Sequence, residues 1–212
     1  MTYYIVVLAG PDSRPRVQKT RGPRERMIVS TALLVRERGA RATSLDAILA
    51  HSGAPRGSVY HHFPGGREQL LREATVYAGK YVARKLERAD GADPLGALEA
   101  LFDAYCKNLL ATDFRAGCPV VAVAIESSEE GPDLRDCTLA AFDRWRRGIA
   151  DSIERSGVAA DRADELAMHA IAAFEGAIIL SRAYRDLEPL ERVRRELRRL
   201  LNEELALVKG RA

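Results

Sequence analysis

The chain has 212 residues, of which 47% are hydrophobic and 30% charged, and a formal net charge of +3. That balance excludes a disordered chain and supplies a core, while the length leaves no comfortable room for two large unrelated domains. Charge is unevenly spread, with 11 Lys/Arg against 3 Asp/Glu in residues 14–67 and 22 against 26 in residues 68–212. The excess suits an N-terminal region that meets phosphates, although chance clustering of solvated charge leaves the same counts.

The first ten residues contain YYIVVLA, too short for a signal h-region and without a basic leader. They read as a floppy or strand-like extension. Elsewhere no apolar run approaches the roughly 18–20 residues that span a bilayer, so no membrane partner is expected. Residues 11–23 hold three prolines, a glycine and several cations and read as a flexible basic arm. Helical periodicity starts near Arg24, with Ile28, Ala32 and Val35 on one face, and Gly39 ends it as a C-cap. Thr43 followed by Asp46 resembles a capping box that opens a short helix reaching about Ser52.

Residues 43–63, TSLDAILAHSGAPRGSVYHHF, form the informative segment: a capped helix, a turn at 52–54, and a second short helix opened by Pro55. On a 100° wheel Arg56, Gly57, Tyr60 and His61 share one face, with Ser58 beside it. Pro55, Val59 and either His62 or Phe63 share the other. The first face offers a guanidinium, a glycine that admits close backbone approach, a phenol and an imidazole, which is chemistry suited to a major groove. Val59 and Phe63 read as core, and adjacent His61 and His62 diverge too far to share a metal.

Breaks at 91–94, 117–119, 131–132, 157 and 188–189 imply six further helices, near 67–88, 94–112, 118–128, 133–156, 161–186 and 189–208. The fold class is therefore all-α, with about nine helices. Three cysteines (Cys106, Cys118, Cys137) form an odd set without Cys-x-x-Cys spacing, and the four histidines are not at metal spacing around them. They point to a reducing cytoplasm, with no metal and no cofactor.

The stretch 27–71, above all RGSVYHHF at 56–63 with Glu68 and Leu70 beyond it, resembles the DNA-binding domain of TetR-type transcriptional regulators, whose recognition helix ends in Tyr-x-His-Phe. FPGGREQLL (63–71) and GCPVVAVAIES (117–127) are similar to the LmrA/YxaF-like branch. The resemblance implies a three-helix helix-turn-helix domain at 24–66 and an effector-binding and dimerisation domain at 67–212. It also implies DNA contacts for Thr43, Arg56, Gly57, Ser58, Tyr60, His61 and Arg67, with Thr43, Tyr60 and Arg67 as phosphate clamps. Two departures stand out: Pro55 replaces the usual Ser or Thr, and Pro64-Gly65-Gly66 inserts a residue before Arg67.

In the remainder, Phe102, Tyr105 and Leu109 line one helix face, Phe142 and Trp145 a second, and His169 and Phe174 a third. These faces can surround a pocket for a small, largely apolar effector, oriented by Tyr105, Trp145 and His169, or they can be ordinary core. Met168, Ala172, Glu175 and Ile179, the pair Ala173 and Ala177, and Leu190, Val193, Leu197, Leu201 and Leu205 line the last two helices. The same stripes fit a homodimer interface through 161–186 and 189–208 or an intramolecular core. By resemblance the protein is a non-enzymatic repressor that binds double-stranded operator DNA as a dimer and releases it on effector binding. The competing reading is a small helical ligand-binding protein or enzyme without DNA binding, for which no nucleophile-base constellation is visible.

Overall fold

A computed structural model of the chain describes residues 22–88, 93–130 and 132–210. The expected extension and arm, up to residue 21, lie outside the described residues. The described chain is helical throughout, with nine helices and no strand among those residues.

Helix α1 (Pro23–Arg38) starts on a proline, where the missing amide costs nothing, and is buried continuously from Met27 to Arg36. Apolar residues fill more than one face because other helices surround it. Gly39 ends it at φ +85°, and a Cβ there would collide with the Glu126 carboxylate. Helix α2 (Leu45–Ser52) is capped by Ser44, whose Oγ accepts from the Ala47 amide at 3.2 Å. This corrects the expected Thr43 capping box: the cap is Ser44 alone, since Ala47 cannot reach back, and Asp46 is an exposed partner of Arg56 instead of a cap member.

Helix α3 (Ser58–His62) begins three residues later than its proline suggested. Pro55 opens a tight turn, with its carbonyl accepting from the Ser58 amide at 3.0 Å, and the α-helical bonding takes over afterwards. Helix α4 (Gly66–Arg88) closes a small core in which Met27 and Leu34 of α1, Ile48 of α2, Val59 and Phe63 of the α3 segment and Leu70 of α4 meet. Met27, Ile48, Phe63 and Leu70 are each 0% exposed. Burial of such side chains stabilises the fold by about 1.5–3 kcal/mol apiece.

The second half of α4 enters the larger core with α5 (Pro94–Ala111), α6 (Pro119–Glu130), α7 (Pro132–Arg155), α8 (Ala160–Tyr184) and α9 (Glu188–Lys209). All six carboxy-terminal helices fall within two residues of the ranges read from the glycine and proline breaks. α4 and α7 cross at Gly79, where an added Cβ would stand 2.8 Å from that of Ala141, and the Trp145 indole donates to the Gly79 carbonyl at 2.8 Å.

The stripe on α9 faces inward. Leu190, Leu197 and Leu201 are buried in their own chain's core, with Val193 and Leu205 packed against it. On α8 Ala177 and Glu175 are buried as well, whereas Met168, Ala172, Ile179, Leu180 and Tyr184 are exposed. By length and composition α8 is apolar enough to cross a membrane, contrary to the sequence reading. Its composition serves two faces at once, one in the core and one outside.

Candidate nucleic-acid interface and internal pocket

Helix α3 presents a sharply divided surface. Val59 and Phe63 are sealed into the small core, which fixes the rotation of the helix, and Arg56, Gly57, Tyr60 and His61 are therefore all exposed. Tyr60 is 66% exposed, an unusual placement for a phenol with no internal role. A Cβ on Gly57 would meet nothing within 4 Å, so packing within the chain does not demand glycine there. Arg56 reaches Asp46 of α2 at 2.6 Å, both side chains standing in solvent. Such an exposed pair contributes little to stability and exchanges readily for a phosphate or a base edge. Ser58 hydrogen-bonds the Pro55 carbonyl at 2.6 Å and so spends its proton on the turn.

Two of the expected contacts stand elsewhere. Thr43 is fully buried, and its hydroxyl donates to the Gly39 carbonyl at 2.8 Å, so it cannot clamp a phosphate. The exposed cap Ser44, which the sequence reading missed, uses its oxygen as an acceptor and keeps its proton for another partner. Arg67 is half-buried, its Nε donating to Thr43 O at 3.0 Å and its Nη2 to Ala40 O at 2.5 Å. It braces the α1–α2 loop against α4. The inserted glycine places Gly66 at φ +59° and lets Gln69 accept from the Gly65 amide at 2.9 Å, so the insertion is absorbed in a turn before α4.

The second feature is a cavity of about 80 Å³, partly open to solvent, between α1, α4, α5 and the start of α6. Of the residues expected around a ligand, only Tyr105 lines it. Phe102, Leu109, Trp145 and Phe174 are core, with edge-to-face contacts from Phe174 to Phe102 at 4.8 Å and to Tyr105 at 5.0 Å. Phe142 packs edge-on to Trp145, whose indole is committed to Gly79. His169 is exposed on α8 and does not line this cavity. The aromatic stripes were core because helices surround them on every side, which spacing alone cannot show.

The cavity wall holds groups that the aromatic pattern did not indicate. Arg36 continues the buried stripe of Ile28 and Ala32 at four-residue spacing, and its Nη1 donates to Asn108 Oδ1 at 2.7 Å. Tyr77 and Tyr81 of α4 and Cys118 before α6 complete the polar part of the lining. Burial pushes the Tyr105 phenol and the Cys118 thiol well above their ordinary pKa, so both are neutral donors. Beside Cys118, burial pushes Glu175 up to about 7. A polar residue interrupting a buried apolar stripe, as Arg36 and Asn108 do, was the available sequence signal.

The cavity is tied to the α1–α2 loop. The Gly117 amide donates to the Arg36 carbonyl at 2.9 Å, and Glu126, further along α6, accepts from the Arg41 amide at 2.7 Å. Helix α6 thus has its first turn in the cavity wall and its later part on the loop that leads into α2.

A helix-turn-helix of this kind, mounted on a larger helical body, defines a DNA-binding regulator. The model for bacterial regulatory proteins of the tetR family matches residues 28–74, and that for the C-terminal domain of LmrA/YxaF-like transcriptional regulators matches residues 94–196. An uncharacterized HTH-type transcriptional regulator of Mycobacterium tuberculosis is 53% identical over 87% of this chain and 96% of its own. The HTH-type transcriptional regulator LmrA of Bacillus subtilis is 31% identical over 79% and 90%. A crystal structure of a TetR regulatory protein from Rhodobacter sphaeroides superposes with a TM-score of 0.75 at 25% identity, covering 82% of this chain and 96% of that one. The chain belongs to the TetR family of HTH-type transcriptional regulators, in its LmrA/YxaF-like branch, and is not an enzyme.

Proposed function

We propose that the protein is a dimeric, ligand-released repressor whose α3 reads operator DNA. The observation that carries the reading is the face Arg56, Gly57, Tyr60 and His61, held outward by the burial of Val59 and Phe63. Arg56 reads a base edge after leaving Asp46, Gly57 lets the backbone approach, and Tyr60, His61 and Ser44 donate to phosphates. Arg67 contributes by bracing the loop before α2. Residues 24–66, closed by the first turns of α4, are the DNA-reading unit. The remaining helices hold the effector and the partner.

The partner surface is the outer face of α8, where Met168, Ala172, Ile179, Leu180 and Tyr184 leave an exposed apolar strip. Two copies related by a two-fold axis present two heads to successive major grooves, about one helical turn apart. An effector in the cavity touches α1, α4 and the α6 start together, and so biases the geometry of each head.

The test is a fluorescence titration with a duplex that the protein itself selects from a random-sequence pool. Combining Arg56→Ala with Tyr60→Phe is expected to weaken binding at least tenfold and to flatten the dependence on salt, with helical content unchanged. Unaltered affinity and salt slope would reject α3 as the reading helix.

A further inference from the structure

Arg36 presents an electrostatic problem that the fold does not solve. The residue is 6% exposed, and its Nη1 reaches only a neutral partner, Asn108. Its Nε is buried with no hydrogen-bond partner. No ion pair joins it to a carboxylate among the described residues, and the cavity lining contains no Asp or Glu. The Glu175 carboxyl stands beside Cys118 outside that lining. Burial lowers the pKa of the guanidinium and outweighs the opposing charge of Glu37 on the same helix, although an arginine remains protonated at any physiological pH. A buried, unpaired cation is destabilising unless a counter-charge arrives.

The rest of the wall specifies the body of that counter-ion. Val29, Ala32, Leu33 and Val82 are apolar, and Tyr77 and Tyr81 add aromatic rings. We propose that the cavity binds a small monoanionic aromatic acid, whose carboxylate pairs with Arg36 while its ring lies among the apolar and tyrosine side chains. Asn108 holds the guanidinium in position through Nη1. The tyrosines exclude water, which strengthens the ion pair.

The assignment rests on the effector-responsive reading above and gives it a direction. Arg36 belongs to α1, the first helix of the DNA-reading unit, and its carbonyl is already bonded to Gly117 in the cavity wall. A carboxylate drawn to Arg36 therefore acts on the head through α1 itself, in addition to any displacement of α4.

The experiment is calorimetric titration of the full chain, without DNA, using 3-phenylpropionate and its neutral amide as matched probes. The acid is expected to bind the parent protein at least tenfold more tightly than the amide. Arg36→Gln should erase that preference and Arg36→Lys should keep part of it. Ala104→Phe, which fills the cavity from α5 and leaves Arg36 in place, should abolish binding of both probes. Equal affinity for acid and amide, no binding of the acid by the parent, or unchanged binding in Ala104→Phe overturns the proposal. If Arg36→Gln fails to fold, the parent's acid-to-amide ratio and Ala104→Phe still decide. Because no DNA is present, failure here leaves α3 as the reader of DNA, and a failed duplex titration leaves the cavity result intact.

Discussion

Glu175 is a carboxyl enclosed by apolar side chains beside a neutral thiol, and burial pushes its pKa up to about 7 from the ordinary 4.5. Between those two values the folded chain keeps a proton that the unfolded chain loses. Stability therefore falls as pH rises through that window, and the full cost is present above pH 7. Glu175→Gln removes the titration. Its stability relative to the parent is expected to improve between pH 4.5 and pH 8 by as much as about 3 kcal/mol, read from urea unfolding at both values. A difference that does not change with pH would show that Glu175 ionises freely in the fold. Sequence spacing had put this residue on the partner-facing stripe with Met168 and Ile179. The structure buries it instead, although at about 100° per residue it stands only about 20° from Met168 and about 40° from Ile179.

At the scale of elements, helix boundaries were legible because they are set locally. Pro23, Pro94, Pro119 and Pro132 stand at helix starts, and Gly39 and Gly53 at helix ends, each for reasons of backbone geometry that need no neighbour. The exception is α3, where Pro55 opens a turn with i to i+3 bonding before the helix proper. Where two helices touch was not legible. Gly79 lies inside α4, where glycine disfavours helix by about 1 kcal/mol relative to alanine, and only the crossing with α7 at Ala141 accounts for it. Gly79→Ala is expected to lower the melting temperature despite the better propensity, because overpacking costs about 1–3 kcal/mol. Ala141→Gly in the same chain should recover much of the loss. Additive effects of the two substitutions would mean that the helices do not meet there.

At the scale of the whole molecule, the exposed strip on α8 is a departure from a self-sufficient monomer. Met168, Ile179 and Leu180 are 54%, 47% and 48% exposed, while α9 turns its leucines into its own core. Under the proposed dimer, charged substitution on that outer face should break association without unfolding the chain. Met168→Glu with Ile179→Glu is expected to give a monomer by sedimentation, with unchanged helicity and a severe loss of affinity for a two-half-site duplex, since each head alone makes half the contacts. A variant that remains dimeric would move the interface elsewhere. The same substitutions placed on Leu197 and Leu201 should unfold the protein, because those positions have no solvent to turn to.

By itself the amino-acid order determined the helical class, the positions of most helix ends, the family and the outward face of α3. All of these depend on interactions within a few residues or on a motif whose packing side is marked by Val59 and Phe63. Only the tertiary structure decided which stripes were core, since Phe102, Trp145 and Phe174 carry the same spacing whether they surround a ligand or one another. It also decided that Thr43 is buried, that Ser44 caps α2, and that Arg36 of the first helix lies in the wall of a cavity that α4, α5 and the start of α6 share. The placement of Arg36 depends on surfaces that approach across 72 residues of chain, as in its bond to Asn108, whereas the Thr43 and Ser44 bonds are made within four residues. Local periodicity records that a face is apolar and not what it meets.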